Sequence, residues 1–404
     1  MPDSFQMPKP NVDLNQWPEP LRTSDADSFA EFTFSVRVPE TLDETIRRNH
    51  FPDNIQQNLL ELKDEIADGV VRGLQEDTLD RVFWDEACAT FVGRSWFDVV
   101  WFWAEVFLYR RILEATTYFQ AGDWQGIDPF TPNKDEEWRV DVAPKLLNEI
   151  LAQLPEDPTT RFRQLLYASL WGNRVDLSYN GAGHLSQSAA VVEDSANLVA
   201  DDWAKGWEYL QTKQPAHIAL IADNAGTEFA MDLALIDFLL HENVAQQLDL
   251  YLKPQPFFVS DVMPKDVDLG LTAIAHGGQA ASTLADRIRV YRQENRLKIH
   301  THWYFTASLC YYQMPHDLHQ ALSAYDLVIL KGDANYRRLL GDAHWPYTTP
   351  FSDIVAYFPT PLIALRTLKS EVVAGLTPSQ VQQLQATDPK WLVNGQRGVI
   401  QLKV

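Results

Sequence analysis

The chain has 404 residues, of which 46% are hydrophobic and 22% charged, enough for roughly two or three domains of ordinary size. Its 55 acidic residues exceed its 34 Lys and Arg residues, and the formal net charge of -21 argues against binding to nucleic acid or to an anionic membrane surface. Only two cysteines, Cys88 and Cys310, are present, which excludes a disulfide framework and a four-cysteine zinc site.

The first residues of the chain lack the basic segment and apolar run of a signal peptide, so we expect a cytoplasmic protein. The most apolar stretch, Trp96–Ile112, contains four charged residues and is too short to cross a membrane. We predict a buried helix that opens at Ser95, with Asp98 completing a capping box. A charge inside such a helix must be paired or face a cavity, so Glu105 is either half of a buried ion pair or part of a pocket wall.

Up to about residue 195, apolar residues recur at spacings of three and four, which predicts helices. One helix begins near Pro39, and further helices are predicted at Asn54–Leu74, Val140–Leu154 and Arg161–Trp171. The last of these should end at Gly172. The turn that follows carries Asn173 and Asp176, which are either structural or part of the wall of the substrate pocket.

From about residue 196, short apolar runs alternate with helical patterns, which is typical of a mostly parallel sheet built from βαβ units. The predicted strands are His217–Ala222, Gln247–Leu252, Pro256–Ser260, Asp326–Leu330, Thr360–Leu365 and Gly398–Leu402. Helices are predicted between them at Gly226–Glu242 and Gly278–Asn295. The expected fold class is therefore α/β. A mainly helical N-terminal region, residues 1–195, would pack on a doubly wound, Rossmann-like α/β/α sheet domain, residues 196–404.

Polar residues follow four of the predicted strands. In chain order they are Asp223 and Asn224, then Asp261, then Asp333 with Asn335, Tyr336 and Arg337, and finally Arg366 and Lys369. Ligands of open α/β sheets bind beyond the carboxyl ends of the strands, so we expect these side chains to meet at one rim. Each residue alone would more often be a helix cap or a solvated charge, and only their combination predicts a site.

Such a rim suits metal-assisted chemistry on a phosphate group. The carboxylate and amide oxygens of Asp223, Asn224 and Asp261 are hard ligands, suited to Mg²⁺ or Mn²⁺. Arg366 would bind phosphate oxygens through its planar fork and Lys369 as a point charge. The histidines form no comparable group, and no glycine-rich dinucleotide loop, phosphate loop or nucleophile elbow follows a predicted strand.

At these residues the sequence resembles the damage-control phosphatase family, in particular the subgroup with an Arg-Thr-x-Lys motif, present here as Arg366 to Lys369. The resemblance covers most of the chain between Ser95 and Lys369. It rests, in order, on the stretches SWFDVVWFWAEVFLYRRI, LWGNRVDLS, ADNAGTE, FFVSDVMPKD and KGDANYRRL. Before about Phe91 no matching motif is present.

The resemblance implies a divalent cation, Mn²⁺, Co²⁺, Ni²⁺ or Mg²⁺, held by Asp223, Asn224 and Asp261, which would also be the catalytic residues. It implies that the stretch from Asp333 to Arg337 and Lys369 contact substrate, and that Glu228 belongs to the substrate pocket. The implied substrates are small phosphorylated metabolites, in particular sugar phosphates such as fructose 1-phosphate. Whether a water or Asp223 itself attacks phosphorus stays open at this stage.

Two other function classes remain as alternatives. A relative in the same subgroup has been described as a carboxyl methyltransferase that uses S-adenosylmethionine, although the missing glycine-rich loop counts against that activity. A non-catalytic metal-binding protein would bind the cation without turnover.

Overall fold

The computed structural model describes residues 7–139, 142–178 and 195–404. No helix within these ranges is both long and apolar enough to cross a membrane. The side chains of Asn173 and Asp176, which the sequence places at the pocket wall, lie outside the described residues.

Helices dominate the chain before residue 195. They are α1 (Phe29–Phe32), α2 (Val38–Arg48), α3 (Asp53–Asp68), α4 (Arg81–Cys88), α5 (Trp101–Ala115), α6 (Thr131–Arg139), α7 (Val142–Gln153) and α8 (Pro158–Ser178). A π-helical turn, Thr33–Arg37, joins α1 to α2. The apolar spacing explains these helices, since α3 buries Ile55, Leu59, Leu62 and Ile66 along one stripe.

The apolar helix α5 begins six residues later than the predicted Ser95 start, so the predicted capping box is wrong. Val100, just before the helix, is extended because the N-terminal arm pairs with the backbone on both sides of it. The Thr23 amide donates to the Val99 carbonyl at 3.0 Å, and the Trp101 amide donates to the Leu21 carbonyl at 2.9 Å. Tertiary hydrogen bonding thus overrides the local helical signal.

The predicted end of α8 at Gly172 is also wrong, because the helix continues to Ser178. A Cβ atom on Gly172 would lie 2.9 Å from the Cα atom of Glu228, so the glycine permits close packing of two helices.

The second half of the chain forms a seven-stranded sheet of order β1-β7-β6-β5-β2-β3-β4. Its strands are β1 (Leu198–Asp201), β2 (Ala216–Ile221), β3 (Ala245–Leu252), β4 (Leu297–Thr301), β5 (Leu327–Lys331), β6 (Leu362–Thr367) and β7 (Gly398–Lys403). All neighbouring strands are parallel except β6 and β7. The mixed α/β class and the mostly parallel sheet are therefore confirmed.

Eight helices accompany this sheet within the described residues. They are α9 (Trp203–Thr212), α10 (Thr227–His241), α11 (Pro264–Ile274), α12 (Gln279–Gln293), α13 (His316–Leu322), α14 (Asp333–Leu339), α15 (Phe351–Ile354) and α16 (Pro378–Thr387). The predicted helices after Gly226 and Gly278 correspond to α10 and α12 and are confirmed.

One predicted strand, Pro256–Ser260, is wrong. The segment is a turn in which Phe258 and Val259 have positive φ angles of 42° and 63°, outside the strand region. Both flanks of β3 are already occupied, by β2 and β4, so no sheet position remains beside it. The turn instead brings the chain back to Asp261, which forms an isolated bridge with Asn224.

Alternate residues of the sheet enter two hydrophobic clusters. On one face, Ala219, Val328 and Ala364 pack with side chains of the N-terminal helices, including α3 and α5. On the other face, Ile218 and Ile329 pack with side chains of α7, α8 and α10. Both faces of the central strands are covered, as expected for a parallel sheet.

Candidate active site

The order of the strands reverses between β2 and β5, since β3 and β4 lie beyond β2 whereas β6 lies beyond β5. Such a switch point leaves a crevice at the carboxyl ends of the strands. A cavity of about 280 Å³ opens there. Its polar lining consists of Thr33, Arg37, Thr41, Glu105, Tyr109, Asp223, Asn224, Ser260, Asp261, Asp333, Arg337 and Lys369.

Asp223 and Asn224 follow β2 directly, and the turn before Asp261 is held against them by backbone hydrogen bonds. The Val262 amide donates to the Asp223 carbonyl at 2.9 Å, and the Ala225 amide donates to the Ser260 carbonyl at 2.8 Å. Two carboxylates and one carboxamide from separate loops therefore meet at one end of the cavity.

The side chain of Asn224 is fixed by three hydrogen bonds. Its Nδ2 donates to Asp223 Oδ2 at 3.0 Å and to Glu228 Oε2 at 2.9 Å, while its Oδ1 accepts from Ser260 Oγ at 2.7 Å. Because both amide protons are used, the oxygen is the atom left with acceptor capacity. It has one further lone pair for a ligand.

Glu228 lies beneath the site, outside the cavity lining. It is only 2% exposed and pairs with the buried Lys331 ammonium at 3.1 Å. Lys331 also donates to Asp232 Oδ1 at 2.6 Å and to Ser169 Oγ at 3.0 Å. Glu228 thus contacts Asn224 from outside the cavity lining, and the place in the substrate pocket that the resemblance implies for it stays a prediction.

Burial raises the pKa of Asp223 well above its ordinary value, and the charges of Asp261 and Glu228 add to this. Burial likewise raises the pKa of Asp261, although the Lys253 ammonium lies 2.9 Å from its Oδ2. Two buried carboxylates that repel each other are stabilised as anions by a bound cation.

The residues present therefore fit a divalent cation. No group of three His, Cys, Asp or Glu side chains within the described ranges is arranged to hold a metal, so the amide oxygen of Asn224 is needed to complete the set. Gly332, with a φ of 89°, leaves room for the carboxylate of Asp223. A Cβ atom on residue 332 would lie only 2.0 Å from Cγ of Asp223.

Asp333 lines the cavity and forms an ion pair with Arg366. Arg366 has no exposed surface, and its Nε donates to Asp333 Oδ1 at 2.8 Å. Its Nη atoms donate to Ser370 Oγ at 2.6 Å and to the Val372 carbonyl. Every guanidinium nitrogen of Arg366 therefore binds the protein, and the phosphate contact predicted for this residue stays a prediction.

Burial alone would raise the pKa of Asp333, but the charges of Arg366 and Arg337 hold that pKa below its ordinary value. Asp333 is therefore an anion facing the cavity. Lys369, which follows β6 and is half-buried, lines the same cavity.

Two further predicted substrate contacts, Asn335 and Tyr336, lie outside the cavity lining. Asn335 Nδ2 donates to the Lys331 carbonyl at 2.9 Å, and Tyr336 donates its hydroxyl proton to Gln401 Oε1 at 2.7 Å. Both side chains are buried and secure the start of α14 against the sheet.

Arg337 and Glu105 form a buried ion pair that lines the cavity, and a role of Glu105 in the wall of a substrate pocket stays a prediction. Arg337 also pairs with Asp342, at 2.7 Å between Nε and Oδ1, and its guanidinium lies 3.6 Å from the centre of a Trp101 ring. Its charge is therefore shared between two carboxylates.

Sequence reasoning missed the contribution of the chain before residue 90. Phe29, Thr33, Arg37 and Thr41 line the cavity from α1, the π-helical turn and α2. The signal that could have indicated them is their spacing, which puts the last three on one helical stripe. Nothing in the sequence shows that this stripe faces the carboxyl ends of a sheet.

A family model described as the damage-control phosphatase ARMT1-like domain matches residues 33–384. The chain belongs to this family. It is similar to damage-control phosphatase ARMT1 of Mus musculus, with 30% identity over 94% of this chain and 97% of the relative. The Homo sapiens protein of that name is 29% identical over 95% of this chain and 98% of its own length.

The fold is also similar to that of a solved structure. A crystal structure of a DUF89 family protein from Pyrococcus horikoshii matches with a TM-score of 0.52 and 14% identity, covering 92% of this chain and 98% of that chain. The damage-control phosphatase family comprises hydrolases that are generally metal-dependent, so the enzyme class expected from the sequence is confirmed.

Proposed function

We propose that the protein is a cytoplasmic phosphomonoesterase that hydrolyses small sugar phosphates such as fructose 1-phosphate, with Mn²⁺, Co²⁺, Ni²⁺ or Mg²⁺ as its cation. One observation carries the proposal. Asp223, Asn224 and Asp261 converge with Lys369 in a single cavity at the switch point of the sheet. Such a cavity admits a small metabolite and excludes a large one.

Asp223, Asn224 and Asp261 would hold the cation through their side-chain oxygens. When bound, a divalent cation polarises a phosphoryl oxygen and lowers the pKa of a coordinated water. Lys253 keeps one oxygen of Asp261 oriented, and the hydrogen bond from Ser260 fixes the plane of the Asn224 amide. The chain thus supplies oriented ligands before any cation arrives.

The remaining residues of the cavity would orient the substrate. Lys369 supplies a positive charge to the phosphate; it lines the same cavity as Asp223, and its charge opposes the rise in the pKa of that carboxyl. Asp333 stays ionised and accepts a hydrogen bond from a sugar hydroxyl. Stabilisation of charge developing on the phosphoryl oxygens is the main source of catalysis in such reactions.

The deciding experiment measures phosphate release from fructose 1-phosphate, other sugar phosphates and general phosphomonoesters after chelation, and again after each cation is restored. Asp223→Ala should lose at least about a hundredfold in kcat. Asp353→Ala, a change at an exposed aspartate of α15, should retain wild-type turnover. Metal-stimulated turnover in Asp223→Ala close to the wild-type rate would disprove the assignment.

The same preparations separate the alternative functions. S-adenosylmethionine binding in calorimetry, together with no phosphate release, would favour the methyltransferase. Cation binding without any turnover would favour a binding protein. Cation-dependent phosphate release supports the phosphatase alone.

A further inference from the structure

The N-terminal helices present one stripe of side chains to the cavity. Phe29, Thr33, Arg37 and Thr41 all line it, at intervals of four residues. An α-helix has about 3.6 residues per turn, so steps of four residues drift by about 40° each, and the first and last of these side chains would point about 120° apart. The π-helical turn Thr33–Arg37 holds more residues per turn and offsets this drift. The turn therefore keeps Thr33 and Arg37 directed at the same cavity.

The hydroxyl of Thr33 is a buried polar group without a partner. Thr33 is 3% exposed and lines the cavity, and its Oγ1 makes no hydrogen bond within the described part of the chain. By contrast, the equally buried Thr45 on α2 donates its hydroxyl proton to the Thr41 carbonyl at 2.8 Å. A buried hydroxyl without a partner destabilises a protein, and such groups are rare. At the wall of a cavity, it points to a ligand that supplies the missing hydrogen bond.

The guanidinium of Arg37 is also uncommitted among the residues that the structure describes. Its side chain makes no hydrogen bond or ion pair there, and its contact is the ring of Phe29, 5.2 Å from the guanidinium carbon. By contrast, Arg337 in the same cavity is paired with Glu105 and Asp342. An unpaired, exposed guanidinium keeps its planar fork of donors for a bidentate contact with an oxyanion.

The docking of α1 fixes this stripe against the loop that carries Lys369. The Phe29 amide, at the start of α1, donates to Glu371 Oε1 at 2.7 Å. Glu371 lies two residues beyond Lys369, which lines the same cavity as the stripe. Thr33 and Arg37 follow Phe29 at the next two positions of the stripe. The helical wall of the cavity is therefore attached to the loop whose lysine would bind the phosphate.

We propose that Thr33 and Arg37 bind the phosphate group of the substrate from the helical wall, together with Lys369 on the side of the sheet. The Thr33 hydroxyl donates to one phosphate oxygen, and the guanidinium of Arg37 donates to two. A phosphate group matches this pair because it accepts several hydrogen bonds and carries the negative charge that a guanidinium compensates. A sugar hydroxyl carries no such charge. This inference rests on the proposed phosphatase activity.

The test uses inorganic phosphate as its probe, because this group is common to every substrate of the proposed enzyme. Calorimetry measures its binding to the Mg²⁺-loaded protein. Arg37→Gln should weaken phosphate binding about tenfold, and should raise the KM for fructose 1-phosphate and for glycerol 3-phosphate by that same factor. Arg47→Gln on α2, where the side chain is 73% exposed and outside the cavity lining, is the matched control and should change none of these values.

Thr33→Val tests the hydroxyl while keeping the branched shape of the side chain. It should weaken phosphate binding about fivefold, yet leave the free energy of unfolding of the ligand-free protein undiminished, because the hydroxyl has no partner to lose. Thr45→Val is the matched control, since it removes a buried hydroxyl that is hydrogen-bonded. It should be the less stable variant in urea unfolding and should bind phosphate as the wild type does.

Unchanged phosphate binding in Arg37→Gln, with KM increases that differ between the two esters, would show that Arg37 contacts the sugar and would overturn the inference. Unchanged phosphate binding in Thr33→Val, with the same loss of stability as in Thr45→Val, would overturn the assignment of the hydroxyl. Absence of turnover with every ester would instead overturn the proposed function. Calorimetry then still decides the inference, since wild type must bind inorganic phosphate and Arg37→Gln must bind it about tenfold more weakly.

Discussion

Arg366 illustrates at the scale of one residue how burial changes the role of a charge. The side chain has no exposed surface, and its partners are Asp333, Ser370 and Val372. A guanidinium in this position compensates the Asp333 carboxylate, which in turn faces the cavity. Burial of this kind cannot be deduced from the Arg-Thr-x-Lys spacing, since both cations of the motif follow the same apolar run.

Arg366→Met should lower the free energy of unfolding by about 3–5 kcal/mol, because it removes a fully buried guanidinium with all its hydrogen bonds and leaves the partly buried Asp333 without its main partner. Lys369→Met, the same change at the half-buried cation of the motif, should raise the KM for phosphate esters and leave cation affinity unchanged. Urea unfolding, calorimetry and steady-state kinetics measure these effects. Wild-type stability with lost phosphate affinity in Arg366→Met would show that Arg366 contacts substrate after all.

Asp249 on β3 gives a prediction about acid stability. Its carboxylate is 5% exposed and accepts hydrogen bonds from Tyr325 at 2.7 Å and Gln247 at 2.9 Å, with His300 Nε2 3.5 Å away. Burial alone would raise the pKa of Asp249, but these three partners hold it well below 3.8. The folded state therefore favours the ionised form.

A depressed pKa contributes stability that is present above 3.8 and is lost as the pH falls through the folded value. Asp249→Asn should therefore be less stable than wild type at about pH 6, with the difference shrinking toward about pH 3. Urea unfolding of both proteins across this range measures it. A difference that does not change with pH would contradict the ionised state of Asp249.

At the scale of elements, most of the sheet could be predicted from sequence, because buried parallel strands are short apolar runs. β2, β3, β5, β6 and β7 all appear within two residues of their predicted bounds. The prediction of a strand at Pro256–Ser260 failed because its apolar side chains are buried against other aromatic rings and not within the sheet. The ring centre of Phe258 lies 4.9 Å from that of Tyr109. Apolar content alone does not distinguish these two outcomes.

The crossing of α8 over α10 gives a prediction at the scale of elements. Gly172→Ala puts a methyl group 2.9 Å from Cα of Glu228, so the helices must separate and the contact between Glu228 and Asn224 must shift. We expect a loss of about 1–3 kcal/mol in unfolding free energy and a lower kcat. Gly73→Ala is the control, because no atom lies within 4 Å of its Cβ position. Equal effects of both changes would show that the crossing tolerates the methyl group.

At the scale of the whole molecule, some residues of the site could be predicted from the sequence and others could not. Asp223 and Asn224 were identified because they follow β2, and Asp261 because it follows the predicted strand Pro256–Ser260. That segment is a turn, yet the structure still brings the three residues together. Arg37 could not be identified, because its place depends on how distant helices dock on the sheet. The division of the chain into residues 1–195 and 196–404 stays a prediction.

One hydrophobic cluster joins side chains of the N-terminal helices to the sheet, from Phe34 and Trp101 to Val328. Separating the two parts would expose that surface, so we expect them to unfold together. Tryptophan fluorescence, to which eight tryptophans before residue 196 and five after it contribute, and far-ultraviolet circular dichroism should give superimposable urea transitions. Two separated transitions would show that the parts are independently stable.

The pairing of the antiparallel strand β7 determines when the sheet can be completed during translation. Leu198 in β1 pairs with Gly398 in β7, so a ribosome must add 200 residues before β1 gains its neighbour. Until then the β6 edge, Leu362–Thr367, is open to strands of other molecules. Interrupted synthesis before Gly398 would therefore release a polypeptide whose exposed sheet edge drives aggregation, although every residue proposed to bind the cation or the phosphate had already been translated.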